Sequence, residues 1–177
     1  MNIIFLDVDG VLNSMPYCEK HIDNSRNGLI SDFHLQMLSE IYHTCNARIV
    51  LSSTWRYLKD AKGDRARIMY QYLTDSLARY DMEIMSCTPT ISGDRPLEIA
   101  TWLKENADDA VRFVILDDDF PKEEYEKYGM GNNLIQTIYF CYKISQGGLQ
   151  KEHVRKAITL LQERDRDDIS IEEDIER

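Results

Sequence analysis

Only four prolines and eight glycines are spread over 177 residues, and they never gather into a linker that would divide the chain into domains. No apolar run approaches the roughly 20 residues that cross a bilayer. The four cysteines, Cys18, Cys45, Cys87 and Cys141, stand far apart with no CxxC pair. That spacing argues against a disulfide framework or a thiolate zinc site and suits a reducing compartment. Positive charge is also short: 21 Lys and Arg against 31 Asp and Glu leave a net charge of −10. Half of that excess lies in the last stretch, "DRDDISIEEDIER" from Asp165. An acidic body argues against broad binding to a phosphate backbone, although one or two arginines suffice to hold a single phosphate. The first residues read as a strand rather than a secretory leader, and a cytoplasmic location with no membrane association is the expectation.

What is present is an alternation of apolar strands and amphipathic helices. "NIIFLDVD" (2–8), "ARIVLSS" (47–53), "EIMSCTP" (83–89), "VRFVILDDD" (111–119) and "NLIQTIYFCY" (133–142) read as strands. Helical spacing marks 31–46, about 65–80, 95–107 with Pro96 in its first turn, and 150–163. Residues 13–30 are polar and turn-rich and read as an irregular flap. The alternation predicts an α/β, Rossmann-like three-layer sandwich with a mainly parallel five-stranded sheet and no large cap domain. One domain over 1–163 and an acidic tail over 164–177 complete the organisation.

In such folds ligands bind at the carboxyl ends of the strands. Asp7 and Asp9 lie there after strand one, Ser52 and Ser53 after strand two, and Asp117, Asp118 and Asp119 after strand four. Arg95 opens the helix that precedes strand four. Two carboxylates one residue apart repel each other unless a cation or a reaction uses them. An all-oxygen acidic site with no histidine or cysteine suits Mg²⁺. A serine hydroxyl and an arginine beside it are a grip for a phosphoryl group. One aspartate there is able to attack phosphorus, and a second to move protons. Gly10 lets the backbone turn sharply beneath the phosphate.

These motifs, in this order, resemble those of the haloacid dehalogenase (HAD) superfamily of phosphohydrolases. "DVDGVLN" is similar to its first motif, "IVLSS" to its second, Arg95 before a proline-led helix to its third, and "VILDDD" to its fourth. The resemblance implies that Asp7 is the nucleophile and a metal ligand. It makes Asp9 the general acid and base, its backbone carbonyl also a metal ligand. Ser52 would hold a phosphoryl oxygen, with Ser53 beside it, and Arg95 would neutralise the charge, with Arg56 and Lys104 as competitors. Asp118, then Asp117, would supply the remaining Mg²⁺ ligand, and Asp119 would be a bystander. "LSSTWR", "RPLEIATWL", "LDDD" and the late "GGL" further resemble small HAD domains associated with RNA-repair enzymes, which makes Trp55 and Arg56 candidate substrate-side residues.

Neither 13–30 nor the few residues between Pro89 and Arg95 can hold a folded cap. An open site suits a bulky phosphorylated partner: a polynucleotide end, a nucleotide or a phosphoprotein. The flap, with Tyr17, Lys20 and Arg26, would then touch the leaving group. A response-regulator receiver is the main rival fold, but it needs a phospho-acceptor aspartate after strand three, where this chain has "SCTP". A phospho-ligand binding module and a phosphotransferase of the same fold remain as alternatives. Phosphate-monoester hydrolysis through an aspartyl-phosphate is the leading expectation.

Overall fold

A computed structural model of the chain describes residues 1–21, 29–108 and 110–162. The acidic tail from 164 and Arg26 of the expected flap lie outside the described residues. Five strands, β1 (Asn2–Leu6), β2 (Ala47–Leu51), β3 (Ile84–Cys87), β4 (Arg112–Asp117) and β5 (Leu134–Gln136), form one sheet in the order β3-β2-β1-β4-β5. Every neighbouring pair is parallel. The helices are α1 (Met15–His21), α2 (Asp32–Thr44), α3 (Asp64–Ala78), α4 (Arg95–Asn106), α5 (Lys122–Glu126) and α6 (Lys151–Gln162).

The near-continuous apolar run of β1 follows from burial on both faces, as parallel strands require. Ile4 and Leu6 point into one core with Leu35, Leu38 and Ile41 of α2 and Val154, Ala157 and Leu161 of α6. Ile3 and Phe5 point the other way, against Ile99 and Trp102 of α4 and Tyr125 of α5. Trp102 meets Phe5 edge to face at 5.4 Å, so it is a packing residue. β1 and β4 are paired residue for residue from Asn2–Arg112 to Leu6–Leu116, and this brings Asp7 and Asp117 to the same level.

Two local expectations are corrected. Residues 15–21 of the expected irregular flap are helical (α1): Pro16 occupies the first turn, where its missing N–H costs nothing, and the Cys18 N–H donates to the Ser14 carbonyl at 2.9 Å. The fifth strand stops at Gln136 instead of running to 142. Beyond it only Thr137 continues the ladder, through its N–H to the Asp117 carbonyl at 2.9 Å. Phe140 and Tyr142 are 76% and 99% exposed; their aromatic character mimics a strand without the burial that would hold one.

Candidate active site

Each strand of the sheet centre ends on a polar residue that is tied to its neighbour's last carbonyl. The Asp7 N–H donates to Leu116 O at 3.0 Å, the Ser52 N–H to Leu6 O at 3.0 Å, and the Thr88 N–H to Leu51 O at 3.1 Å. Parallel pairing therefore sets the side chains that follow β1, β2 and β4 side by side. Carboxylate oxygens of Asp7, Asp117 and Asp118 fall within 4.8 Å of one another. Asp7 and Asp117 are buried, Asp118 partly so, and Asp9 and Asp119 are exposed.

Arg95 bridges the two buried acids. Its Nη1 donates to Asp7 Oδ2 at 2.5 Å and to Asp117 Oδ1 at 2.6 Å. It reaches them because it is the first residue of α4, whose start is fixed by Asp94, its carboxylate accepting the Leu97 N–H at 3.1 Å. Lys104, nine residues further along the same helix, lies about 13 Å from Arg95 along the axis and is exposed at the other end. Asp117 is further held by the Tyr125 hydroxyl and by the Asp119 N–H at 2.9 Å. Burial, then the charge and hydrogen bond of Asp117, push the Tyr125 phenol far above its ordinary value, so it remains a proton donor to that carboxylate.

Burial pushes the Asp7 carboxyl up to about 6, against the pull of Arg95 and with the push of Asp117. For Asp118, burial and then the charges of Asp7, Asp117 and Asp119 raise it to about 7. Arg95 stays charged: burial opposes its charge, but Asp7 and Asp117 outweigh that and hold it above the usual arginine range.

Asp9 is oriented by two side chains. Asn13 Nδ2 donates to Asp9 Oδ1 at 2.9 Å, and Trp55 Nε1 donates to Asp9 Oδ2 at 2.9 Å. Asn13 also closes the loop, accepting the Gly10 N–H at 2.9 Å and donating to Leu29 O at 2.8 Å. Gly10 has φ +72°, and a Cβ there would stand 2.1 Å from Asp118 Cγ, so only glycine permits this approach. Ser52 is fully buried and its Oγ has no partner among the described residues, whereas Ser53 Oγ accepts the Trp55 N–H at 3.3 Å and its hydroxyl helps to lower Asp7.

Arg56 is engaged elsewhere. Nη1 donates to Ser52 O and Ser53 O at 2.6 and 2.9 Å, and Nη2 to Glu98 Oε2 at 2.5 Å and Tyr57 Oη at 2.8 Å. With Glu98 almost fully buried, the pair clamps the turn after β2 onto α4, and both Nη groups are committed to the protein. Asn13, Glu98 and Tyr125 were not legible as site residues, and Trp55 was legible only as a substrate-side candidate. Asn13 carried a signal in its position three residues after Gly10, as in side-chain-closed turns. Trp55 carried one in the need of a buried indole N–H for a partner. Tyr125 and Glu98 carried none.

Residues 3–154 match a family described as the HAD domain in Swiss Army Knife RNA repair proteins. The chain belongs to this family. No curated protein and no solved structure matches it. As a HAD domain it carries a phosphohydrolase-type function, and HAD domains generally use Mg²⁺. The residues at the strand ends fit that ion on three grounds: an all-oxygen donor set, the close carboxylates, and Gly10 leaving room beside Asp118. No helix among the described residues is long and apolar enough to cross a membrane.

Two predictions follow from this geometry. Trp55→Phe keeps the apolar body and removes the hydrogen bond to Asp9. With Asp9 in the acid–base role that the sequence resemblance implies, turnover should fall by about tenfold or more, with KM little changed. A rise in KM with unchanged kcat would instead assign Trp55 to substrate contact. The second concerns pH. Asp7 and Asp118 both titrate above the ordinary 3.8 in the metal-free fold. The folded chain then binds more protons than the unfolded one between about pH 4 and 7, so these groups make the metal-free protein less stable as pH rises through that window. Bound Mg²⁺ needs both deprotonated. The Tm gain on adding Mg²⁺ should therefore be larger at about pH 8 than at about pH 5.5. Equal gains would place the ion elsewhere.

Proposed function

We propose that this HAD domain is a Mg²⁺-dependent phosphate-monoester hydrolase that works through an aspartyl-phosphate on Asp7 and accepts a bulky phosphorylated end, foremost that of a polynucleotide. The observation that carries the reading is the constellation at one sheet edge: a buried Asp7 bridged to Asp117 through Arg95, with an oriented Asp9 two residues away.

An oxygen of the Asp7 carboxylate forms a bond to phosphorus as the ester P–O bond breaks. Asp9, exposed and held by Asn13 and Trp55, gives its proton to the departing oxygen. It then takes a proton from the water that attacks phosphorus, so that inorganic phosphate leaves and the Asp7 carboxylate is restored. Arg95 fixes the direction of Asp7 and offsets negative charge at the transferring group. The unpartnered Ser52 Oγ, buried beside them, is the donor assigned to a phosphoryl oxygen. Asp7, Asp118 and Asp117, with the Asp9 carbonyl, would hold Mg²⁺, which when bound would supply Lewis-acid neutralisation of phosphoryl charge.

The substrate class rests on two supports. The site has no folded cap over it among the described residues, since α1 is a single short helix and α4 starts soon after β3. The family is named for RNA repair proteins. A cytoplasmic site of action is part of the same reading. Release of phosphate from para-nitrophenyl phosphate and from 5′- and 3′-phosphorylated oligoribonucleotides, with Mg²⁺ and with EDTA, tests it. Metal-dependent turnover that prefers an oligonucleotide end supports it. No turnover of any phosphomonoester by the folded protein sinks it in favour of a phospho-ligand binding module, and transfer of the phosphoryl group to an added acceptor in preference to water would make it a phosphotransferase.

A further inference from the structure

A cavity of about 500 Å³ opens between the 3₁₀ turn Thr54–Leu58 and the end of β3, at the carboxyl end of the sheet. Its walls include Arg56, Tyr57, Lys59, Met85, Cys87 and Thr88. Two of these are more than nine-tenths buried yet keep a polar atom without a partner among the described residues: the Nε donor of Arg56 and the Oγ1 of Thr88. Folded proteins seldom leave such groups unmet, because each forfeits the hydrogen bonds it had in water. Both residues line one groove, with the two atoms themselves buried in its wall.

The remaining walls mix apolar side chains, such as Tyr57 and Met85, with polar ones, such as Lys59, Asp60 and Ser86. The Tyr57 ring lies 4.5 Å from the Arg56 guanidinium carbon, and the residue is 41% exposed; Met85 is 42% exposed on the opposite element. The charge balance is close to neutral, since Arg56 is already paired with Glu98, and exposed Lys59 is followed by exposed Asp60. Burial pushes the Cys87 thiol up, so no thiolate adds to that balance. A groove with an aromatic wall, a donor and a hydroxyl, and little net charge does not suit a second phosphate. It suits a planar heterocycle with polar edges and a sugar attached.

Its position fits the same ligand. Thr88 follows β3 and Asp7 follows β1, two strands away with β2 between them, which is about 10 Å at the usual strand spacing. The turn that starts at Ser53 delivers Trp55 to Asp9 and, two residues later, Tyr57 to the groove. One segment therefore connects the acid–base residue to the cavity wall.

We infer that the groove between residues 54–60 and the end of β3 is a nucleoside-binding subsite, which takes a base and sugar of the phosphorylated polynucleotide end, with Tyr57 stacking on the base and the Thr88 and Arg56 side chains turning to offer Oγ1 and Nε to its polar atoms. The inference rests on the phosphohydrolase reading for its meaning, but its test does not. Adenosine, guanosine, cytidine and uridine, none carrying a phosphate, are each titrated into the full chain and followed by saturation-transfer NMR. At least one should show transfer, and its Kd should weaken by about tenfold in Tyr57→Ala, in keeping with loss of one base–aromatic stack. Thr88→Val, which removes only the unpartnered hydroxyl, should weaken binding while leaving Tm equal or higher. Asp7→Asn, outside the groove, should bind the nucleoside as the wild type does.

Absence of transfer for all four nucleosides overturns the subsite, as does equal affinity in Tyr57→Ala and Thr88→Val. Either result leaves para-nitrophenyl phosphate turnover to decide the phosphohydrolase reading by itself. Conversely, nucleoside binding that depends on Tyr57 and Thr88, in a chain that hydrolyses no phosphomonoester, would keep the subsite and discard the hydrolase. Selective transfer from a tyrosine-phosphate peptide in place of nucleosides would assign the groove to a phosphoprotein and overturn the inference.

Discussion

Asp7→Asn should abolish turnover, lowering kcat by about four orders of magnitude or more, as loss of a nucleophile does in covalent catalysis. The substitution keeps the size of the side chain and an oxygen able to accept the Val8 N–H, which reaches Asp7 Oδ1 at 2.8 Å. It removes the carboxylate that attacks phosphorus in the proposed mechanism, and with it half of the pair that Arg95 bridges. The fold should survive, because a neutral amide at this buried position relieves some of the carboxylate desolvation that raises Asp7 to about 6. Two measurements check the mechanism together. Wild type quenched during turnover should carry an acid-stable, hydroxylamine-labile phosphoryl group on the peptide containing Asp7, and Asp7→Asn should carry none. Asp9→Asn should instead accumulate that adduct or form it slowly, since it retains the proposed nucleophile and lacks the proposed proton carrier. A phosphorylated Asp7→Asn protein, or undiminished hydrolysis by it, would move the nucleophile elsewhere.

Arg95→Met should be the most destabilising single change at the site. It leaves Asp7 and Asp117 buried side by side without their shared cation, and removal of one partner from a buried ion pair costs about 3–5 kcal/mol. For a chain of this size the Tm should drop by on the order of 10 °C. The sign of its pH dependence is fixed by the same carboxylates. Protonating Asp7 removes the repulsion, so the deficit relative to wild type should shrink at about pH 5 and grow at about pH 8. Mg²⁺ should recover part of the lost stability by supplying positive charge to the same acids. Arg95→Lys should fall between, since an ammonium can lie between two carboxylates but lacks the planar fork and is more strongly hydrated. An unchanged Tm for Arg95→Met would show that the three side chains do not form the bridged cluster in solution.

Much of this site is legible in the residues alone, and for a definite reason. Strands buried on both faces read as apolar runs, and whatever polar residue ends each run must emerge at the carboxyl edge of a parallel sheet. Asp7, Ser52, Asp117 and Asp118 follow directly, and Arg95 follows from its place at the head of a proline-led helix. The limits of local pattern are equally plain. Phe140 and Tyr142 read as strand residues and are exposed, because β-propensity reports side chains that fit a pleated half-buried surface, not whether a neighbouring strand exists to provide one. Met15–His21 reads as turn-rich and is helical, because its helix leans on tertiary contacts, such as the Met15 N–H donating to Tyr139 O at 3.0 Å.

The sequence by itself determined the order along the chain of the five strands and the four longer helices, the acids at the strand ends and the family to which they belong. Only the tertiary structure decided what each charged group touches. Trp55 meets Asp9 across 46 residues, Arg95 meets Asp7 across 88, and Arg56, whose number alone places it beside Ser52, turns to Glu98 across 42. Strand ends are set by local apolar pattern, which composition and spacing carry. The direction of a long polar side chain is set by which buried partner completes its hydrogen bonds, and that partner is chosen by the packing of distant segments.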